Sequence, residues 1–530
     1  MSEKTSMDIS HHYNNHKFSK WKRFKNSLLV FGLLNLIWLI FRTGSKPTRI
    51  VYPCQQLAIK NISLSFGAIL PILSLAAFFY KSRDKVAKSK TILLLVLLLL
   101  PLVGGVVFQS THSVNEVGLL IEPKEANSVI NSDIFIVNGR DVAHISNLID
   151  VMGNNGLNFY YSETATSNQG PDGLIASEDV ILLKINCQWP KRGGTNTDML
   201  KELIEVIIAH PDGFTGEIVV ADNGQGRGSM DWSQTNAENH KFSSQDVVNY
   251  FSGEKISTYL WDDIRGTAVD EFSEGDNNDG YIVYEEPDPE TGIFISYPKF
   301  KTIYGTKISF KNGIWNGTHY ENKLKVINLP VLKSHGSYGV TGALKHYMGV
   351  QTQQLANGHQ KIATGGMGTL MAEFGLPILN IMDAIWINAN PAISLANGPS
   401  TGYSDATRVN ILMASLDPVA LDYWAAKNIL VKTAEMIGYS DTHTLSPDNS
   451  IRSGLTEAFG VWLNKTEEEL VREGYNVTSN ENNINIYANS MIVQIESYTE
   501  SNFIFWLSVF GTSVLSLIIV SIIYIKKLKK

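Results

Sequence analysis

The residues best equipped for chemistry are Lys333, His335 and Lys345, which stand at the two ends of one glycine-rich stretch, Asn328–Val350, NLPVLKSHGSYGVTGALKHYMGV. Between them Gly336, Gly339 and Gly342 recur every third residue. Glycine permits φ > 0 and close backbone approach, so N–H groups in such a loop can converge on an anion. Thr341 or Gly342 falls at the start of a predicted helix, ALKHYMG, where orphan N–H groups and the macrodipole favour negative charge. Lysines there would stabilise developing negative charge, and a histidine would move protons near neutral pH. The stretch reads either as a site for a phosphate, a carboxylate or an enolate-like intermediate, or as a plain connection whose glycines serve the turn. It is not a Walker A loop, because G-K-[ST] is missing.

The elements around it must bring further groups to the same place. The apolar, partly β-branched run over 324–332 predicts a strand leading into the loop. DVILLKIN (179–186) is a near-continuous apolar run, as expected of a strand buried on both faces, and it delivers Lys184 and Asn186. The helix DMLKELIEVIIAH (198–210) follows, then the strand and glycine-rich loop GEIVVADNGQGRG (216–228), which delivers Asp222 and Asn223. Upstream, DIFIVNGRD (133–141) and LNFYYSE (157–163) read as strands flanking the helix HISNLIDVMGNNG. Downstream, 361–386 gives a glycine loop, a helix and an apolar run ending at Asp383. This alternation predicts an α/β fold, a largely parallel sheet flanked by helices. Ligands on such sheets lie outside the C-terminal strand ends, where Lys184, Asn186, Asp222, Asn223, Lys333 and His335 all fall. Asp222 and Asp383 are placed to orient the histidine or to hold a divalent cation.

Residues 229–320 are aromatic and acidic, with β-like runs, and predict a β-rich insertion that covers the site. Within it EGDNNDG (274–280) resembles a calcium loop but fails the EF-hand spacing, and an ordinary polar hairpin loop is the reading preferred. Asp417-Pro418 fits an N-cap followed by proline at N1, whereas Asp422, five residues on, does not share its face.

PVLKSHGSYGVTGALKHYMGV is similar to the core signature of the DUF362 family, a domain of unknown biochemical function sometimes found in iron–sulfur proteins. VILLKINCQWPKRGGTNTDMLKELIEVI resembles its first strand and helix, and LNIMDAIW with LMASLDPVALDYWAAKNIL resembles its Asp-Ala segment and Asp-Pro-Val-Ala-x-Asp helix start. The resemblance extends over roughly residues 130–460 and implies no particular reaction. An iron–sulfur cluster is not expected, since the chain has 2 cysteines, Cys54 and Cys187, and a cluster needs four ligands at close spacing.

Charge is unevenly spread. Residues 110–500 hold 25 Lys and Arg against 48 Asp and Glu, whereas residues 1–109 hold 15 basic residues against 3 acidic ones. So acidic a block is a poor nucleic-acid binder and suits a solvated domain beside a membrane. Residues 1–26 form a basic tail, with His11, His12 and His16 read as part of it rather than as a metal tract. Apolar segments at 27–41, 62–80, 91–108 and 503–525 predict four transmembrane helices, three within 27–109 and one within 501–530. In an alternative, the first segment is interfacial. The basic tail, the loop 81–90 and the terminal KKLKK orient both termini to the cytoplasm, with 110–500 as one extracytoplasmic domain of a multi-pass cell-membrane protein. The loop 42–60, although basic, then falls outside, where it docks on the acidic domain or meets lipid headgroups. Cys54 and Cys187 both fall outside too, as one disulfide or as two thiols. Asn316, Asn464 and Asn476 lie in N-x-S/T sequons, usable where the host glycosylates exported proteins.

Two functions follow from these residues. One is an enzyme or binding site for a small anionic or carbonyl-containing ligand, with Lys184, Lys333 and Lys345 stabilising charge and His335 as acid or base; Asn186, Asp222, Gly336, Gly339, Thr341, Gly342, Lys345 and Asp383 would hold the ligand. The other is a non-catalytic interaction module with a membrane-protein partner. Transport is disfavoured, because the apolar segments carry almost no ionisable residues. H-E-x-x-H, paired Cys/His and G-x-S-x-G motifs are all missing.

Overall fold

The computed structural model describes residues 118–497 except 128–130, 139–143, 392–398, 452–457, 490 and 495, together with positions 35 and 38. The chain divides into two units, Glu116–Phe505 and a second one of residues 1–115 and 506–530. Apart from positions 35 and 38, the predicted basic tail, the four apolar segments, the loop 42–60 and Cys54 lie outside the described residues. Among the described residues, no helix is long and apolar enough to cross a membrane.

A mixed sheet forms the centre of Glu116–Phe505. Its main strands are β1 (Ser132–Asn138), β2 (Val180–Lys184), β3 (Glu217–Asp222), β4 (Ile256–Leu260), β5 (Leu324–Asn328), β6 (Val331–His335), β7 (Gly339–Thr341), β8 (Leu379–Asn388), β9 (Thr407–Ser415) and β10 (Ile484–Tyr487). The spatial order is β10-β1-β9-β8-β5-β2-β3-β4, with β6 alongside the second half of β8. Neighbours pair in parallel except at β9, which runs antiparallel to both β8 and β1. The predicted largely parallel sheet is therefore present, with β9 and the short hairpin strand β7 reversed.

The all-apolar runs explain the burial. Along β2 and β3, Leu182 and Val219 face one hydrophobic cluster, while Ile181, Leu183, Ile218 and Val220 face the other. Period-two alternation with apolar residues at every position buries the strands on both faces. Helices α1 (His144–Asn154), α2 (Thr197–Ile208) and α3 (Ser244–Tyr250) supply the second cluster. In α2, Leu200, Leu203, Ile204 and Ile207 recur at helical spacing, and the Asn196 side chain caps the N–H groups of Asp198 and Met199 at 3.0 and 3.1 Å. On the first cluster lie α4 (Ala343–His346), α5 (Gly366–Phe374), α6 (Pro418–Ala425) and α7 (Phe459–Arg472). Asp417 caps α6 as expected, accepting from Val419 and Ala420 at 2.8 and 3.0 Å.

Three local expectations change. Within 157–163 only Tyr160–Tyr161 is extended, and it pairs with Gln169–Gly170 outside the main sheet. Within 229–320, β4 belongs to the main sheet by pairing with β3, and the separate β layer is an antiparallel five-stranded sheet made from Gly280–Val283 to Tyr320–Glu321. The acidic loop EGDNNDG is organised around a lysine. The buried Lys299 amine donates to the carbonyls of Asp270 and Asp276.

Candidate functional site

The central stretch folds as a hairpin. β6 turns at Gly336–Tyr338 into β7, with Lys333 opposite Thr341 and His335 opposite Gly339. Backbone groups expected to cradle an anion are thus committed to strand pairing. Gly339 takes φ +72°, and a Cβ there would lie 2.0 Å from the Thr444 carbonyl, so glycine is required.

The helix start is filled from within. The Asp422 carboxylate, on α6, accepts the N–H groups of Ala343 and Leu344 at 2.6 and 3.0 Å. A Cβ on Gly342 would sit 2.2 Å from Asp422 Oδ1, so the glycine makes room for this carboxylate. The glycine-rich loop after β3 repeats the arrangement: Asp262 Oδ2 accepts from Gly226 and Gly228 at 3.1 and 2.9 Å. Both backbone anion cradles are occupied by the protein's own carboxylates, which corrects the expectation that Gly342 offers its helix terminus to a ligand.

Side chains gather instead at the C-terminal ends of β2, β3 and β5. Lys184 Nζ pairs with Asp222 Oδ1 at 2.7 Å and donates to the Ile185 carbonyl at 3.2 Å. Asp222 Oδ2 accepts from the Cys187 N–H at 2.8 Å. A Cβ on Gly349 would come within 2.5 Å of both Lys184 Nζ and Asp222 Oδ1, so backbone covers the pair directly. Beside it opens a cavity of about 40 Å³, lined by Lys184, Asn186, Asp222, Asn223, Thr341 and Lys345 among others. That is room for a few waters or one small ligand. Gln225, Gly349, His346, Met348 and His359 also line it.

Lys345 is the distinctive group. It is buried, and among the described residues no carboxylate pairs with it; its nearest ring is Tyr338, 5.5 Å from Nζ to the centroid. Burial lowers its pKa to about 7. Lys333 is also lowered to about 7, by burial and then by the Lys345 charge, with Asp383 and Asp222 opposing. Its amine donates to the Gly193 carbonyl, and it stands apart from the cavity lining. His335 is likewise outside the lining. Its Nδ1 accepts from the Ser337 N–H at 3.0 Å, and burial, with Lys345, drives its pKa well below the usual range. It is a neutral imidazole at physiological pH.

Asp383 lies mid-strand in β8 rather than at its end. Its carboxylate accepts from the backbones of Asn196 and Ile385, each at 3.0 Å, and burial raises its pKa to about 6. Asp222 and Asp383 are each bound to different protein groups; among the described residues, no group of three His, Cys, Asp or Glu side chains is placed to hold a metal.

Two residues join the site that sequence reasoning passed over. His346 Nδ1 lies 2.6 Å from Asn328 Oδ1, while Asn328 Nδ2 donates to the Ala343 carbonyl and Asn380 Oδ1 at 3.1 and 2.9 Å. The fixed amide makes Nδ1 the protonated nitrogen, leaving Nε2 as the lone-pair nitrogen of a neutral ring. His359 comes from the segment after α4, and burial lowers its pKa to about 3. Its position could not be read from spacing, whereas His346 adjoins Lys345 within the predicted helix.

The sequence model of the DUF362 family (Domain of unknown function) matches residues 317–427, from the end of the β-rich layer through α6. That span holds the hairpin, α4, Lys345, His346, Asp383 and Asp422, while Lys184 and Asp222 precede it. No curated protein and no solved structure matches the chain. The two cysteines agree with a member that lacks the iron–sulfur ligands. Over residues 317–427 the chain is thus similar to the DUF362 family.

Proposed function

We propose that the Glu116–Phe505 unit binds a small anionic ligand, a phosphate or a carboxylate, in the cavity at the ends of β2, β3 and β5, and presents that site outside a membrane in which the apolar segments anchor it. The observation that carries this reading is Lys345, a buried amine facing a cavity with no counter-ion among the described residues. A buried cation is costly unless paired, so an arriving anion completes what the fold leaves open. The Thr341 hydroxyl supports it, as a buried donor of the lining with no hydrogen-bond partner among the described residues. Lys184 adds a second cation, already balanced by Asp222. Glycine loops supply little, since Asp422 and Asp262 occupy their N–H groups.

The anchoring rests on the four apolar segments and on the basic tail, loop and terminus that flank them. Calorimetric titration of the full-length protein with phosphate and with lactate tests the ligand reading: binding that Lys345→Gln abolishes is expected, and equal affinity in the variant would remove it. Protease protection in sealed vesicles tests the orientation.

A further inference from the structure

Among the described residues four lysines are buried: Lys184, Lys299, Lys333 and Lys345. An ammonium carries three N–H donors and needs acceptors when it leaves water. Three of the four have them. Lys184 has Asp222 and the Ile185 carbonyl, Lys299 has the carbonyls of Asp270 and Asp276, and Lys333 has the Gly193 carbonyl. Lys345 donates no hydrogen bond to the described residues and instead lines the cavity. The fold thus provides for three ammonium groups and leaves the fourth as an amine with a free lone pair.

We infer that Lys345 captures the carbonyl carbon of a small 2-oxo acid as a Schiff base, with the acid's carboxylate as the anion the cavity accepts. This rests on the anion-binding reading of the cavity and names its ligand class. The Nζ lone pair adds to the carbonyl carbon, the oxygen gains a proton and the nitrogen loses one, giving a carbinolamine. Its hydroxyl leaves with a further proton as water, and a C=N bond remains; no oxidant or reductant enters. The protonated iminium keeps one positive charge beside the ligand carboxylate, so the electrostatic role of Lys345 survives the reaction. Two lining groups stand ready to pass these protons: the Thr341 hydroxyl, which has no hydrogen-bond partner among the described residues, and the neutral imidazole of His346. The lowered basicity of Lys345 is consistent with a nucleophilic amine at neutral pH.

The test is borohydride trapping of the full-length protein with pyruvate, followed by peptide mapping. Half-exposed Lys323 is the internal reference, and Lys345→Arg the control. The expected result is a reduced pyruvyl adduct on Lys345 at least about ten-fold above that on Lys323, lost in Lys345→Arg. Labelling of Lys345 no stronger than that of Lys323 would overturn the inference. If phosphate and lactate still bind through Lys345 in that case, the anion reading stands and only the carbonyl chemistry fails.

Discussion

Asp422 and Gly342 lie 80 residues apart in the chain but meet at one point: the carboxylate accepts the Ala343 N–H at 2.6 Å, in space that a Cβ on Gly342 would fill. Asp422→Ala leaves two buried N–H groups unpaired and is expected to cost about 2–4 kcal/mol. Asp422→Asn keeps one acceptor and should cost less. Gly342→Ala displaces the carboxylate and should resemble Asp422→Ala. Chemical denaturation of the three variants measures this; a Gly342→Ala variant as stable as wild type would contradict the contact.

The buried ion pair makes a second prediction. Asp222→Asn leaves Lys184 buried beside a neutral group, at a cost of about 3–5 kcal/mol. Replacing both, as Lys184→Met with Asp222→Leu, should recover part of that loss. A double variant less stable than the sum of the single ones would contradict it in the unfolding midpoint.

Stability should pass through a minimum near neutral pH. Asp422 is raised to about 7, and Asp383 and Asp417 to about 6, by burial. The folded state therefore binds more protons than the unfolded one between roughly pH 4 and 7, so stability falls as pH rises through that window. Lys333 and Lys345 are lowered to about 7. Above that the unfolded state binds more protons, and stability rises towards roughly pH 10. Thermal melts across this range test the shape, and Lys345→Gln should flatten the alkaline limb.

Cys187 is buried in the second hydrophobic cluster, and burial with Asp222 nearby raises its thiol pKa well above the usual range. Iodoacetamide should therefore modify it only after unfolding. Rapid labelling of the native protein would show the surrounding packing to be different.

Much of the fold was legible because burial on both faces leaves a plain signal. VILLK and EIVVAD could only be interior strands, and their ends place Lys184 and Asp222 together. The Asp417 cap was legible because its partners are adjacent in sequence. The hairpin was not, since glycines every third residue suit a tight turn as well as an anion loop. Nor was Asp422, whose target lies 79 residues away, or Lys299, whose side chain reaches the backbone of a loop 23 residues before it. Lys333 and His335 sit at the predicted edge, yet their side chains serve Gly193 and Ser337 rather than the cavity. Strand position follows from pattern; side-chain direction follows from tertiary contacts that pattern does not encode.

The measurement that bears most directly on the site is proton uptake on anion binding. Phosphate is titrated into full-length protein at about pH 8 in two buffers of different ionisation heat, with wild type and Lys345→Gln in parallel. An amine lowered to about 7 is mostly neutral there and must take up a proton to meet an anion. The account predicts uptake of a substantial fraction of one proton per bound anion in wild type, and neither binding nor uptake in the variant. Binding of equal strength in both, with no proton uptake, would contradict the claim that Lys345 is the anion's partner.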